Sequence, residues 1–422
     1  MEGQRLPPLG PRRTATRSGT KTFLGLQSPR DSVATFDSIS DEAESTLLSM
    51  SHAFDLEVNP SDLHQVDMQG LDWSQSEQTR LQYRMARDRE TRLKHSHPGC
   101  ADLRRDCDVY AFGYMNKSEL NTIHHPQLRH LLKAPTSDSV FFNYLNRIKR
   151  WNPLTNRSEI FLDLTHLGMQ QAYVSTIASV GSTHVYVGGF YGEVVYKRFG
   201  MDPLVKHLPN AGIVNYIHAI NQGEVLVATN DCEIRRLIGM SVGETFTFPC
   251  AINAIAQQER DLLFLVGDCN ELMFYDIRTK GLGHLKGHSA ACFAVVCHGH
   301  LLASASEDNT VKIWDIRKYD DPFYTLTTLA SPARSLSFIP PMNSAVTMPL
   351  LAIAETCDYV HVTDLRNLKN VQTFDFFGEI GGLDVGPCGR NIYIGITGAS
   401  GGILQLDRIK DSIFAKHMDL FR

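Results

Sequence analysis

Histidine and cysteine are the first candidates for chemistry, because both can ligate metals or move protons near neutral pH. The one close cluster is His95-x-His97-x₂-Cys100, with Cys107 nearby. Its spacing fits no tetrahedral metal motif, and no C-x₂-C pair occurs among the nine cysteines. Neither a metal site nor a cofactor is therefore expected. His284, His298 and His300 are scattered and read as solvated or packed residues. Phosphate-loop, nucleophile-elbow and zincin chemistry find no support, so no catalytic residue is assigned and an enzyme is not expected.

Three Asp-x-Arg steps offer a different chemistry: Asp276-x-Arg278, Asp315-x-Arg317 and Asp364-x-Arg366. A guanidinium two residues after a carboxylate either pairs with it locally or makes bidentate, charge-assisted bonds to a partner. Both readings stay open on sequence alone.

The elements that carry these residues are strands. From residue 106 onward, short β-rich runs alternate with Gly, Pro, Asn and Asp. Taking Trp314 as a reference slot, equivalent strand ends fall at Trp151, Lys197, Leu237, Tyr275, Trp314, Thr363 and Leu406, spaced 38 to 49 residues apart. Seven slots predict seven repeats. Gly188, Gly189 and Gly192 are expected to serve tight turns. A closed ring of sheets needs a last strand, and the upstream stretch 107–133 is favoured over 410–422 to supply it.

Upstream of the repeats the charge is segregated. Residues 1–30 carry a balance of +5, residues 31–79 carry eleven acids and no Lys or Arg, and residues 80–105 return to +5. Residues 1–66 read as a disordered tail, basic and then acidic, because such blocks cannot bury enough apolar surface to offset chain entropy. Residues 67–105 read as an extension with a short basic helix. Ser74-x-x-Glu77 has the spacing of a capping box, favourable residues run to Lys94, and Leu81 and Met85 form a narrow apolar stripe one turn apart, expected to lie on the domain.

The stretch from Gly287-His288 to Trp314-Asp315, with Asp308-Asn309-Thr310-Val311-Lys312-Ile313 between, resembles the WD40 repeat. That resemblance implies an all-β fold, a seven-bladed WD40 β-propeller over 106–422. It also implies a buried structural tetrad of His288, Ser304 (or Ser306), Asp308 and Trp314, with the other blades held by packing and glycine. Six patches further resemble a family of uncharacterised fungal and plant WD-repeat proteins. They are Asp67-x-Gln69-Gly70-Leu71-x-Trp73, Arg89-Glu90-Thr91-Arg92-Leu93, Gln127-Leu128-Arg129, Gly188-Gly189-Phe190-x-Gly192-Glu193, Asn230-Asp231-Cys232 and Phe376-Phe377-Gly378-Glu379-Ile380. Lys94-His95-Ser96-His97 and His124-His125 depart from that family's pattern.

The Asp-x-Arg steps also resemble the WDxR signature of substrate receptors for cullin-4 RING ubiquitin ligases, which implies adaptor contacts through Asp276, Arg278, Asp315 and Arg317. The expected function is a non-enzymatic scaffold for protein–protein contacts, with a ligase receptor second and a chromatin- or RNA-associated scaffold third. The 106–422 region sums to −4, so direct nucleic-acid readout is not indicated. No membrane span is expected, and the reduced-thiol pattern suggests nucleus or cytoplasm rather than secretion.

Overall fold

A computed structural model describes residues 57–63, 66–98 and 108–409, apart from 168, 170, 172, 260, 319–320 and 342–347. The segments 1–56 and 410–422 therefore lie outside the described residues, and with them most of the expected tail.

Five separate four-stranded antiparallel sheets cover 132–163, 174–207, 214–247, 252–286 and 292–327, here blades 1 to 5. An eight-stranded sheet holds the rest. The long strand Asn367–Val385 divides it: its first half pairs with Cys357–Asp364 and its second half with Asn391–Ile396. Blades 6 and 7 meet at that strand, an arrangement consistent with seven blades. The first strand of each blade touches the first strand of the next, and the contacts return from 380–385 to Leu132–Thr136.

Burial explains why these runs became strands. The second strand of each blade is largely buried on both faces, as in Leu301–Ser306, Leu350–Glu355 and His184–Gly189, because it is sandwiched between neighbouring blades. Third strands alternate, and all seven predicted slots fall on them. Seven buried apolar clusters each join one pair of adjacent blades, including the pair 7 and 1 through Leu132, Phe142, Trp151, Tyr393 and Ile403.

The ring is closed from upstream. Strand β2 (Tyr110–Asn116), preceded in the chain by β1 (Glu57–Val58), lies antiparallel to Gly402–Arg408, with Tyr110 opposite Arg408 and Asn116 opposite Ile403. Gln372 holds its first residues, accepting from the Val109 and Tyr110 amides and donating to the Tyr110 carbonyl at 2.6 Å. β1 then pairs with the far edge of β2, and Val58 is buried. Among the described residues, structure thus starts ahead of residue 66, where a sheet edge recruits two residues of the acidic stretch. Residues 127–131 form no strand.

Helix α1 (Arg80–Lys94) ends where expected but starts later. Thr79 and Gln82 form the capping box, while Ser74 belongs to a short 3₁₀ turn whose N-cap is Asp72. Trp73 is tied back to Asp67 at 2.8 Å, which turns the chain before a helix can begin.

The glycine expectation needs correction. Only Gly192 takes a positive φ, +77°, and a Cβ there would lie 2.4 Å from the Leu208 carbonyl. Gly188 and Gly189 sit inside a strand, where Cβ atoms would strike Val214 and Glu193 respectively, so their role is close approach rather than turning.

Candidate interaction surfaces

Blade 5 brings four polar side chains into one chain of bonds. His288 Nδ1 lies 3.0 Å from Asp308, His288 Nε2 lies 2.8 Å from Ser304 Oγ, and Trp314 Nε1 donates to Ser304 Oγ at 3.0 Å. Ser306 instead donates to the Ala290 and Ala291 carbonyls. Burial opposes the Asp308 charge, but hydrogen bonds from His288 and Thr310 outweigh it and hold the carboxyl below its ordinary range. The arrangement pins the loop into blade 5 to the following turn.

Other blades replace this tetrad with charge, not merely with packing and glycine. In blade 3, Asp231 is gripped by Arg235 at 2.5 Å and by Thr229 at 2.6 Å. In blade 6 the buried Glu355 accepts from the amides of Leu329, Ala330 and Ser331, and His361 bridges it to Thr373. Glu355 satisfies the loop amides ahead of its blade and Asp231 the Glu233 amide of its turn, the two tasks that Asp308 combines in blade 5 by accepting from the Ser289 and Thr310 amides.

Each Asp-x-Arg step follows the third strand of its blade. Arg317 makes a bidentate pair with Asp315, and Arg366 does the same with Asp364. Arg278 donates its backbone N–H to Asp276 at 2.9 Å. The Arg317 side chain remains 66% exposed and that of Arg366 42%. The local pairing is therefore present at Arg317 and Arg366, and both side chains remain part exposed.

The most extensive polar docking involves α1. Its inward face is built from arginines. Arg87 makes a bidentate pair with the buried Asp358 at 2.5 and 2.8 Å. Arg84 stacks over the Phe377 ring at 4.1 Å and donates to the Phe376 carbonyl. Arg80 reaches Asp375 at 2.6 Å, and Arg92 donates to the Leu329 carbonyl. Burial alone would discourage the Arg87 charge; Asp358 more than compensates and raises its pKa. Asp358 sits at a β-bulge with φ +70°, which turns its carboxylate towards the helix.

Two family-like patches meet under this helix. Gln69 donates to the Phe377 carbonyl at 2.8 Å and accepts from its amide at 2.5 Å, while Trp73 and Tyr83 pack on the Phe377 ring. A third joins at Glu379, which pairs with the buried Arg129 at 2.9 Å. The consequence reverses the expected orientation: Leu81, Met85 and Leu93 are 68%, 65% and 75% exposed. The apolar stripe faces out because the inward positions are taken by ion pairs and cation–π contacts.

The helix and the Asp-x-Arg steps occupy opposite faces. α1 touches the turn after the second strand of blades 5 and 6 and the loops between blades, through Asn309, Leu329, Asp358 and Phe377. The Asp-x-Arg steps lie in turns after the third strands, which an up-and-down blade places at the other end.

His97 of the early cluster lies 3.2 Å from Thr328 Oγ1, whereas Cys100 and Cys107 are outside the described residues. Among the described residues no group of three metal donors assembles. Gly398-Ala399-Ser400-Gly401-Gly402 does have the spacing of a nucleophile elbow, contrary to the reading above. Its Ser400 hydroxyl is buried against the Phe377 carbonyl and Gln69, and a strand rather than a helix follows, so the geometry is structural. Near the axis, His125 Nδ1 accepts from the Gln127 and Leu128 amides. Burial, reinforced by the Arg129 and Arg334 charges, lowers the His125 pKa to about 4. No helix among the described residues is long and apolar enough to cross a membrane.

The WD40 family (WD domain, G-beta repeat) matches residues 279–315, the segment that carries the tetrad. An uncharacterised protein of Schizosaccharomyces pombe is 26% identical over 271 residues, spanning 59% of this chain and 76% of that protein. The RRP9 WD40 repeats superpose with a TM-score of 0.59 at 11% identity, covering 71% of this chain and 100% of that one. A chain of the Mitotic Checkpoint Complex gives 0.56 at 14% identity, over 68% of this chain and 89% of the other. With its blade sheets, its tetrad and these likenesses, the chain has the fold of a WD40-type β-propeller, with a WD40 repeat at residues 279–315.

Proposed function

We propose that this protein is a non-enzymatic scaffold that gathers protein partners on the two faces of its propeller. The observation that carries this reading is the outward apolar stripe of α1. A helix fixed by four arginine contacts and exposing Leu81, Met85 and Leu93 spends its polar groups on anchoring and presents its apolar ones. Protein partners bury such stripes, and a pre-fixed helix loses little entropy on binding. The test is quantitative affinity capture from native extract with full-length protein and a Leu81→Glu, Met85→Glu, Leu93→Glu variant. The scaffold reading expects a discrete set of proteins lost by the variant at unchanged melting temperature. An identical captured set would refute a role for this helix.

A second reading, a substrate receptor of a cullin-4 RING ligase, is favoured by the 66% exposure of the Arg317 side chain on the opposite face. Asp276, Arg278, Asp315 and Arg317 would then meet the adaptor. Arg278→Glu with Arg317→Glu should abolish adaptor co-purification while the protein stays folded. Wild-type protein that never captures the adaptor removes this reading and leaves the scaffold.

A further inference from the structure

We propose that Cys250 and Cys269 are a peroxide-responsive dithiol, a modification site that closes into a disulfide on the face that carries α1.

The placement follows from strand register. Ile252 lies opposite Gly267 at the end of the first ladder of blade 4, and the Asp268 amide donates to the Ala251 carbonyl at 2.9 Å. Extending the register one more step sets Cys250 opposite Cys269. Since Ala251 and Asp268 share the hydrogen bond, the cysteines occupy the next, non-hydrogen-bonded position. There facing Cα atoms of an antiparallel pair approach most closely, about 4.5 Å, within the reach of a disulfide. The sulfurs are 3.0 Å apart, with the Cys250 thiol donating to Cys269 and Cys269 donating to the Glu271 carbonyl. Closing the bond requires the sulfurs to move together by about 1 Å.

The surroundings suit reaction rather than mere packing. Both cysteines border the apolar cluster between blades 3 and 4 on one side and are partly open on the other. By contrast, Cys292 and Cys357 are buried and raised in pKa by that burial. The hydrogen bond donated by Cys250 lowers the Cys269 pKa, and loss of the Cys269 proton gives up only its long 3.4 Å bond to the Glu271 carbonyl, so Cys269 supplies the thiolate and Cys250 resolves.

The step balances. The Cys269 thiolate attacks one oxygen of hydrogen peroxide, the O–O bond breaks, and sulfenic acid forms as hydroxide leaves and takes a proton to become water. The Cys250 sulfur then attacks the sulfenic sulfur; the S–S bond forms and a second water departs with the Cys250 proton. Two thiols are oxidised and one peroxide is reduced to two waters. A thiol reductant reverses the change by exchange.

The experiment treats full-length reduced protein with about a tenfold molar excess of hydrogen peroxide, blocks remaining thiols with iodoacetamide at intervals, and digests without reduction for mass spectrometry. The proposal expects a Cys250–Cys269 cross-linked peptide to accumulate about tenfold faster than Cys232, Cys292 or Cys297 are lost, and to vanish with dithiothreitol. In Cys250→Ser, dimedone should trap Cys269 as sulfenic acid. The proposal is overturned if both cysteines stay alkylatable while others oxidise, or if each oxidises without forming the cross-link. The wild-type experiment decides the matter even if the serine variant fails to fold.

Discussion

Blade 5 and helix α1 solve one problem, the burial of ionisable groups, at opposite ends of the scale of sequence separation. The blade-5 tetrad joins residues within 288–314: a loop histidine, a turn aspartate, and a serine and a tryptophan on neighbouring strands of one sheet. The helix joins Arg87 to Asp358 and Arg80 to Asp375, 271 and 295 positions away. Local burial of this kind recurs in other blades with other residues. The long-range version fastens an element that no strand pairing holds. The difference teaches that the blades are held as units, whereas α1 is added to a finished face and held through guanidinium chemistry.

The largest expected effect separates the closing strand from the sequence ahead of it. Deleting residues 1–121 removes β1, β2 and α1, strips the outer edge of blade 7, and should lower the melting temperature steeply or prevent folding. Deleting 1–56 leaves every hydrogen bond described above and should leave melting nearly unchanged; differential scanning calorimetry of both truncations checks this.

Within blade 5, Trp314→Ala should cost roughly 3–5 kcal/mol, combining a large void with the lost Ser304 bond. Trp314→Phe should cost much less, since most of the volume is kept. Equal stability of wild type and the alanine variant in urea unfolding would remove the tetrad from this account.

For the helix, Arg87→Ala strands the buried Asp358 and should cost about 3 kcal/mol. Arg84 remains 3.3 Å from the same carboxylate and limits the loss. Asp358→Ala alone should cost at least as much, and the double variant less than the sum, with a coupling of roughly 1–3 kcal/mol. Additive losses would mean that the pair does not act as one contact.

A smaller, pH-dependent effect comes from His125. Its folded pKa of about 4 lies below the value of about 6.5 for an unfolded histidine. The neutral ring therefore favours the fold fully above pH ~6.5, and that contribution is lost as the pH falls towards 4, because only the unfolded chain takes up the proton in that window. Melting temperature should decline over this range, and His125→Asn should shallow the decline while still offering the Gln127 amide an acceptor.

Much of the propeller was legible because its signals are short-range. Most third strands alternate, second strands are mostly apolar, and a buried Trp with a Gly-His pair fixes blade 5 from one stretch of chain. The charged substitutes were not legible: neither Arg235 nor Glu355 matches a His or Asp position, although each meets the same need. The helix start was misread because Ser74-x-x-Glu77 and Thr79-x-x-Gln82 carry the same capping chemistry, and only the Trp73–Asp67 contact distinguishes them. The docking face was misread for a deeper reason. An arginine row reads as a solvated face until Asp358, Asp375 and Phe377 arrive from the far end of the chain.

The claim on which the functional account turns is that α1 is clamped by its arginines with Leu81, Met85 and Leu93 in solvent. Single cysteines at Leu81, Met85, Leu93 and, as the inward control, Thr91 can be labelled with a maleimide in the native full-length protein, with rates read by mass spectrometry. Positions 81, 85 and 93 should react as freely exposed thiols while position 91, where the native Thr91 is only 3% exposed, should be strongly protected. Protection at 81, 85 and 93 with rapid labelling at 91 would contradict it.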